Sequence, residues 1–388
     1  MLRRKSQVLL LMNSLGCSMK PLFPIACVLT FLVPRALALE TDQFTTANQT
    51  LADITREFEQ HSMGQIREIV DHTNKSIDAK LKEADTTRSV HRRQRCLFLA
   101  HRLMQPKHIA AEVDRRFGRG LTKTSIEHWF EKHEFDQQPA LHTISYRESV
   151  YAGSAHRWPF MVFAMAPTVK IHGVRMGTDK VGHFFQQGHD YYRNHNESFE
   201  RTGNAKTAAA HAVSRGARQE RTHFGDWITG IYSNADMAAN FAGMKFYLNL
   251  TSEIEIGNTR CAPILFMRDG QWHINESRCK SLLKPFFSEH FDESLNSALY
   301  QPLMRKTVCA SLASRANKLS DRQQESARLQ SMAHWHGEDY GHSGLDGLIT
   351  SADIAQASTT HRPQLLEQLN SFVTRNTVPF LKSTTARD

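Results

Sequence analysis

The chain has 388 residues, with 48 basic and 39 acidic side chains and a net charge of +9. Five of the basic side chains and none of the acidic ones lie in the first 38 residues, so without that segment the net charge falls to +4. A charge this small does not favour a nucleic-acid-binding protein. The remaining length is ample for one large domain or two smaller ones.

The first 38 residues have the three parts of a secretory signal. Basic residues come first, an apolar run covers 22–33, and Ala36-Leu37-Ala38 provides a small-residue cleavage site. Translation from Met19 instead of Met1 would give a signal of more usual length. A retained membrane anchor is the alternative, but the apolar run is shorter than the roughly 20 residues that a span needs. We therefore predict that residues 1–38 are removed and that the mature protein is periplasmic or secreted, with no transmembrane span.

Three regions are predicted in the mature chain. Residues 39–140 form an N-terminal helical region, residues 141–255 a helical core that carries the motifs described below, and residues 256–388 a C-terminal region with a β-hairpin and further helices. The expected fold class is mainly α, a soluble helical domain with a small β-hairpin in its C-terminal part.

In the first region, apolar residues recur at helical spacing between Leu51 and Glu83, which predicts a long amphipathic helix or a pair of helices. This segment would bind a protein partner or form a solvated extension. Residues 109–117 and 125–130 predict two further helices around a glycine turn. Helix pairs of this outline read DNA, but the export signal places the chain away from DNA, so we expect no nucleic-acid partner.

In the core region, helices are predicted at about 178–194 and 205–250, the second broken near Gly225 to Ser233. In the C-terminal region, two apolar runs flank Arg268-Asp269-Gly270, which predicts a hairpin turn. The stretch 334–342 is rich in metal-ligand residue types, but its spacing matches no zinc motif and favours a surface loop.

Four cysteines remain after cleavage, and an even number in an exported protein permits three disulfide pairings. The hairpin would bring Cys261 and Cys279 nearly opposite each other. We therefore predict this pair and, by elimination, a second pair between Cys96 and Cys309. Four buried free thiols are the alternative.

The first motif lies at the start of the helix predicted from residue 178. Asp179 and His183 are one turn apart on one helical face, and Gln187 follows one turn later. A carboxylate one turn before a histidine orients the imidazole, changes its pKa or joins it as a metal ligand. Taken alone, such a pair at a helix start is more often structural than functional.

The second motif has a polar pair one turn apart, Asp236 and Asn240. Small residues on the same helix would let another backbone approach closely; they are Ala235, Ala239 and Gly243. A polar pair beside a small-residue seam predicts that the two motif helices face each other. The side chains expected between them are Asp179, His183, Asp236 and Asn240, with Glu220 and His223 completing the cluster.

Together, these motifs resemble the paired motif of the VanZ-like and YfiM-like bacterial envelope proteins. The matching residues are Asp179, Lys180, His183, Phe184, Ser233, Asp236, Ala239, Asn240 and Gly243. VanZ-like proteins are embedded in membranes and associated with glycopeptide resistance, and YfiM-like proteins are envelope lipoproteins. The motif helices of this chain are too polar to be spans. The resemblance covers residues 178–243 and implies an envelope setting and a polar site, without an established reaction.

Two carboxylates, a histidine and an amide can bind a divalent cation and activate water. Candidate catalytic residues are His183, Glu220 and Asp236; candidate substrate-binding residues are Lys180, Gln187 and Asn240; candidate metal ligands are Asp179, His183 and Asp236. A carboxylate-rich site suits a harder metal as well as zinc. The alternative is a satisfied buried polar network that fixes the register of the helices.

The sequence therefore leaves two hypotheses. The first is an exported bacterial envelope protein whose polar site binds or hydrolyses a lipid or a cell-wall glycan, with a divalent metal as candidate cofactor. The second is a non-catalytic periplasmic scaffold, in which the cluster is structural and residues 51–83 bind a protein partner.

Overall fold

The computed structural model describes residues 40–47, 49–120, 122–155, 157–158, 165–225, 227–278, 281–314, 335, 337–344 and 349. The described residues are mainly helical, with 56% helix and 12% strand in small antiparallel sheets, which confirms the predicted mainly α fold class with a small β-hairpin. The predicted signal segment 1–38 lies outside the described residues, as does most of the chain after Ser314. Within the described part, no helix combines the length and the apolar character that a membrane span needs.

Five helices make up the N-terminal part: α1 (Gln43–Thr46), α2 (Thr55–Thr86), α3 (Val90–Leu103), α4 (Pro106–Val113) and α5 (Ser125–Lys132). The long amphipathic segment is one continuous helix, α2. Its apolar side is buried in the main core through Phe58, Ile66, Val70 and Ile77. The helix is therefore neither a solvated extension nor an open apolar face for a partner, because the rest of this chain already covers that face.

The predicted pair of helices after residue 105 is confirmed. α4 runs into a single π-helical turn at Asp114–Gly118, and α5 begins with a capping box in which Thr124 and Glu127 satisfy each other's backbone N–H groups. Phe117 and Phe130 bury both helices in the main core.

The motif region begins with a hairpin of β1 (Thr168–Ile171) and β2 (Val174–Gly177), which leads directly into α6 (Thr178–Thr202). α6 ends where Gly203 adopts the left-handed conformation. Next come α7 (Ala205–Gln219), a π-helical turn at Glu220–Phe224, β3 (Ile231–Tyr232) and α8 (Asn234–Asn249). The break predicted between residues 225 and 233 thus separates α7 from α8, as expected.

Two hairpins follow, β4 (Ile254–Ile256) with β5 (Thr259–Cys261), and β6 (Leu265–Arg268) with β7 (Gln271–Ile274). The second is the predicted hairpin, with both Asp269 and Gly270 at positive φ in the turn. Three 3₁₀ turns then lead to β8 (Leu299–Tyr300), which pairs with β3, and to α9 (Pro302–Ala313).

All three predicted regions contribute to one main core, which includes residues of α2, α4, α5, α6, α8 and the hairpins. A second, smaller core surrounds the β3–β8 pair; it includes Tyr151, Trp158, Ile231, Tyr300 and Val308. The motif helices α6 and α8 therefore lie in the middle of the fold and pack against residues from both the N-terminal and the C-terminal region.

The predicted Cys96–Cys309 disulfide is not formed, since Cys96 is a free buried thiol. Cys96 lies on α3, which packs against α2, and burial and the neighbouring Glu83 raise the pKa of its thiol, whereas Cys309 lies on α9 beside the second core. The prediction by elimination paired two cysteines that lie on different helices, α3 and α9, and these helices pack against different parts of the fold. Cys261 is also a free buried thiol, which contradicts the predicted pair with Cys279, a residue that lies outside the described part of the structure.

Candidate functional site: a buried lysine among carboxylates

The close approach of α6 and α8 brings the two motifs together. Gly188 and Gly243 meet where the helices touch, and a Cβ atom added to Gly188 would lie only 2.6 Å from the Cα atom of Gly243. Ala235 and Ala239 are completely buried on the same helix as Gly243. The predicted small-residue seam is thus confirmed, and it places the polar residues of α6 and α8 against each other.

Lys180 is the centre of the resulting cluster. Its Nζ atom lies 2.8 Å from Asp179 Oδ2 and 2.5 Å from Asp236 Oδ1, and it also forms an ion pair with Glu293. The lysine side chain is 0% exposed, and none of these three carboxylates is more than 2% exposed. A buried ammonium needs such partners, because an unpaired charge in the protein interior is very costly.

Short segments outside the two helices fix the carboxylates in place. Thr41, just before α1, donates a hydrogen bond to Asp179 at 2.6 Å. Ser233 caps α8 by accepting from the backbone N–H of Asp236, and its hydroxyl lies 3.4 Å from Glu293 Oε1. The Glu293 backbone N–H donates to the Gln43 side chain at 2.8 Å. The N-terminal residues of the described chain therefore close one side of the cluster.

His183 joins the cluster through both ring nitrogens. Its Nε2 atom lies 3.4 Å from Asp236 Oδ2, and its Nδ1 atom lies 3.1 Å from Asn240 Oδ1. These two contacts hold the imidazole ring in one orientation. Although burial alone would raise the pKa of Asp236, the charges of His183 and Lys180 lower it below its ordinary value.

Three glutamates at the cluster have raised pKa values, in each case chiefly because of burial. The pKa of Glu293 rises to about 8, and Lys180 only partly offsets this effect of burial. Burial and the charge of Asp236 hold the pKa values of Glu220 and Glu40 well above the usual range. The carboxyl group of Glu293 is therefore mainly neutral near pH 7, and burial favours the neutral form of Glu220 and Glu40 as well.

Glu40 stands out because neither of its side-chain oxygens has a hydrogen-bond partner among the described residues, although the side chain is only 1% exposed. Buried carboxyl groups are almost always paired in folded proteins. An unsatisfied one beside a charged cluster is a feature that a purely structural network does not need.

Five of the predicted site residues meet in the cluster: Asp179, Lys180, His183, Asp236 and Asn240. Glu220 is attached to it through Ser233, whose backbone N–H donates to Glu220 Oε1 at 3.3 Å. Gln187 is buried one turn beyond His183 and makes none of these contacts. The side chain of His223 lies outside the described part of the structure.

Sequence reasoning missed Glu293 and Glu40. Both lie in irregular segments, so no helical period marks them. The one available signal was weak: each is an acid within a short run that contains Asp, Ser or Thr, residues that hold tight turns together.

The predicted metal ligands are revised by the structure. Among the described residues, the group with metal-ligand spacing is Asp179, Asp236 and Glu293, whose carboxylate oxygens all lie within 4.8 Å of one another. The third member of this group is therefore Glu293 instead of the expected His183. The ammonium of Lys180 contacts all three carboxylates and so occupies the position that a cation would need. Metal binding at this point requires Lys180 to move away.

The stretch near residue 340 is not the surface loop expected from the sequence. Trp335 and Tyr340 are only 3% and 0% exposed, and the Trp335 ring stacks on His290 with centroids 4.8 Å apart. Tyr232 donates a hydrogen bond to the Gly341 carbonyl at 2.6 Å. Two large aromatic residues therefore fold this segment onto the core beside α8.

We compared the chain with protein-family models, with curated proteins and with solved structures, and none of the three comparisons finds a match.

Proposed function

We propose that this chain is an exported bacterial envelope protein whose buried cluster performs acid–base chemistry on a lipid or cell-wall glycan, with Lys180 as the built-in cation in place of a metal. The observation that carries the proposal is that two carboxyl groups in contact with the same ammonium group have pKa values shifted in opposite directions. Asp236 and Glu293 both contact Lys180, yet the pKa of Asp236 is lowered while that of Glu293 is raised to about 8. Carboxyl groups whose pKa values are pushed apart in this way mark acid and base assignments.

The proposed base is His183. Asp236 and Asn240 hold its two ring nitrogens, so the imidazole has one orientation and its positive charge is stabilised when it takes a proton. The proposed acid is Glu293, a neutral carboxyl group next to an ammonium that would stabilise its anion after proton release. Lys180 supplies the fixed positive charge for developing negative charge on the substrate.

The cluster contains more acidic than basic side chains, and this excess supports the acid–base proposal over a structural role. One lysine and one histidine are surrounded by Asp179, Asp236, Glu220, Glu293 and Glu40, all at least 97% buried. Perturbed pKa values and unsatisfied polar groups concentrate at functional sites. The predicted signal segment and the resemblance of residues 178–243 to envelope proteins support the setting and the substrate class.

The competing function is a non-catalytic envelope scaffold, and the observation that favours it is the complete enclosure of the cluster. Lys180 is not exposed at all, and residues 41–43 contact Asp179 and Glu293 from the N-terminal side. For the acid–base proposal, the segment that contains these residues has to move before a substrate can enter.

A matched pair of histidine variants tests the proposal. His183→Asn removes the proposed base, whereas His189→Asn removes another buried histidine of α6, which lies near Asp114 (3.5 Å) and outside the cluster. Each variant replaces the wild-type gene in the source bacterium, and survival under envelope stress by detergent or glycopeptide is measured together with the melting temperature of the purified protein. We expect His183→Asn to behave like the deletion strain while staying folded, and His189→Asn to complement.

The scaffold hypothesis predicts a different pattern. Both histidine variants would then complement in proportion to their remaining stability, and a folded His183→Asn protein would restore growth. Purified wild-type protein is also assayed for release of fragments from cell-wall sacculi and of fatty acid from phosphatidylglycerol vesicles, with and without EDTA. Lys180 in the cation position predicts the same rate in both conditions.

A further inference from the structure

The exposed side of α3 combines apolar and basic residues. Val90, Leu97 and Phe98 are 71%, 44% and 61% exposed, and they are three of the eight large apolar side chains that are exposed in the described part of the chain. Cys96 and Ala100 are the buried residues of this helix. α3 thus attaches to the fold by one narrow side, and the described residues leave a second apolar side uncovered.

Helical spacing places the exposed apolar residues together. Val90, Leu97 and Phe98 lie within about 100° of one another around the helix axis, and the centre of this strip is turned about 130° away from the midpoint between Cys96 and Ala100. Arg93 flanks this strip on one side, and Arg95 and Arg102 flank it on the other; all three arginines are exposed. We refer to Val90, Leu97, Phe98 and these three arginines as the α3 face.

The surrounding sequence concentrates the positive charge of the molecule. Residues 86–111 contain six lysines and arginines and no acid. Because the net charge of residues 39–388 is +4, the rest of that chain has more acidic than basic side chains. Arg92 is ion-paired with Glu83 on α2, whereas the arginines of the α3 face are exposed.

We propose that the α3 face docks on an anionic phospholipid surface. Apolar side chains at the centre of a helix face, flanked by arginines, fit the boundary between acyl chains and headgroups, where long basic side chains reach the phosphates. Each basic residue near an anionic membrane adds to the attraction, and salt weakens it. Three apolar side chains are too few for permanent anchoring, so the binding is reversible. This inference does not depend on the chemistry proposed for the buried cluster.

Vesicle sedimentation of the processed protein tests this assignment. The vesicles contain either phosphatidylcholine alone or phosphatidylcholine with 30% phosphatidylglycerol, at about 50 and about 500 mM salt. Three variants accompany the wild type. Leu97→Ser/Phe98→Ser removes the apolar strip, and Arg93→Gln/Arg95→Gln/Arg102→Gln removes the flanking charge. Phe199→Ser removes an exposed aromatic residue on α6 (43% exposed), which lies next to Glu197 and Glu200 in the sequence.

The expected result is binding to the anionic vesicles at low salt and at least about tenfold weaker binding at high salt, to neutral vesicles and for both α3 variants. Phe199→Ser binds like the wild type. Absence of binding to anionic vesicles, or equal binding by the Leu97→Ser/Phe98→Ser variant, would overturn the proposal. Retention on a heparin column that depends on the arginines alone, without vesicle binding, would assign the face to a polyanion instead.

Discussion

The buried cluster between α6 and α8 and the exposed α3 face place their charged side chains in opposite environments. In the cluster, five acids surround one lysine and one histidine, and burial raises the pKa values of three of these acids. On α3, exposed arginines lie next to apolar side chains. Buried charges must be paired or neutralised, whereas exposed charges contribute little to stability and mainly affect encounters with partners. Substitutions in the cluster should therefore change the free energy of unfolding, and substitutions on α3 should change mainly binding.

The largest effect is expected for Lys180→Met. This variant leaves three buried carboxyl groups, those of Asp179, Asp236 and Glu293, without their common ammonium, and we expect it to lower the free energy of unfolding by about 3–5 kcal/mol. Lys245→Met is the control, because Lys245 on α8 pairs with the partly exposed Glu338, and we expect a loss of about 1 kcal/mol or less. Urea denaturation measures both. Equal losses would break the contrast between buried and exposed pairs.

The pH dependence of stability should show the sign that raised carboxyl pKa values require. The pKa of Glu293 is about 8 in the folded protein against an ordinary value of 4.5. The folded protein therefore keeps a proton that the unfolded chain releases, so this contribution is fully present below about pH 4.5 and is lost as the pH rises through about 8. Each pH unit of that interval contributes about 1.4 kcal/mol.

Glu293→Gln stays neutral at every pH and removes this contribution, so the decline in stability between pH 5 and pH 8 should be smaller than in the wild type. Part of it remains, because Glu40 and Glu220 also have raised pKa values. Urea titrations at four pH values in this range measure the difference. A wild-type stability that is constant or rises between pH 5 and pH 8 would contradict the assignment.

A smaller loss is expected where α6 and α8 touch. In Gly243→Ala, the new Cβ atom would collide with the Phe184 carbonyl oxygen and lie 2.8 Å from the Gly188 Cα atom. The helices must separate, at a cost of about 1–3 kcal/mol. Gly64→Ala in the middle of α2 meets no atom within 4 Å and should stabilise by about 0.5–1 kcal/mol, because alanine favours the helix. Thermal melting of the two variants should therefore shift in opposite directions.

The smallest effect is expected on α3. Leu97→Ser/Phe98→Ser changes two exposed side chains and should alter the free energy of unfolding by no more than about 0.5 kcal/mol. A larger loss in urea denaturation would show that these side chains contribute to the folded core, which would remove the contrast between the two regions.

The parts of the site that follow helical periods were predictable from the sequence. Asp179 with His183, and Asp236 with Asn240, stand one turn apart, and the small residues of α8 indicated the helix that packs against them. The long helix α2 was predictable for the same reason. The part of the chain that α2 packs against was not predictable, because an amphipathic pattern shows that a face is buried without showing which surface buries it.

The remaining parts depend on contacts between residues that are far apart in sequence. Glu293 reaches Lys180 across more than one hundred residues, and Thr41 reaches Asp179 across 138 positions. Neither has a local pattern. The burial of Trp335 and Tyr340 was missed because the histidines and acids around them indicated a loop, while the two aromatic residues determine the packing.

Glu293 is the proposed proton donor of this cluster, and a comparison of two glutamine variants tests that role. Glu293→Gln preserves the shape and neutral charge of the protonated carboxyl group, and Glu127→Gln does the same at a buried carboxyl group whose pKa is raised to about 7, chiefly by burial, and whose hydrogen bonds go to Thr124. Both variants are measured for stability and for complementation of the deletion strain under envelope stress. If Glu293 is the proton donor, the Glu293→Gln protein is folded but fails to complement the deletion strain, whereas the Glu127→Gln protein complements it. Complementation by Glu293→Gln at the wild-type level would contradict it and favour a structural cluster.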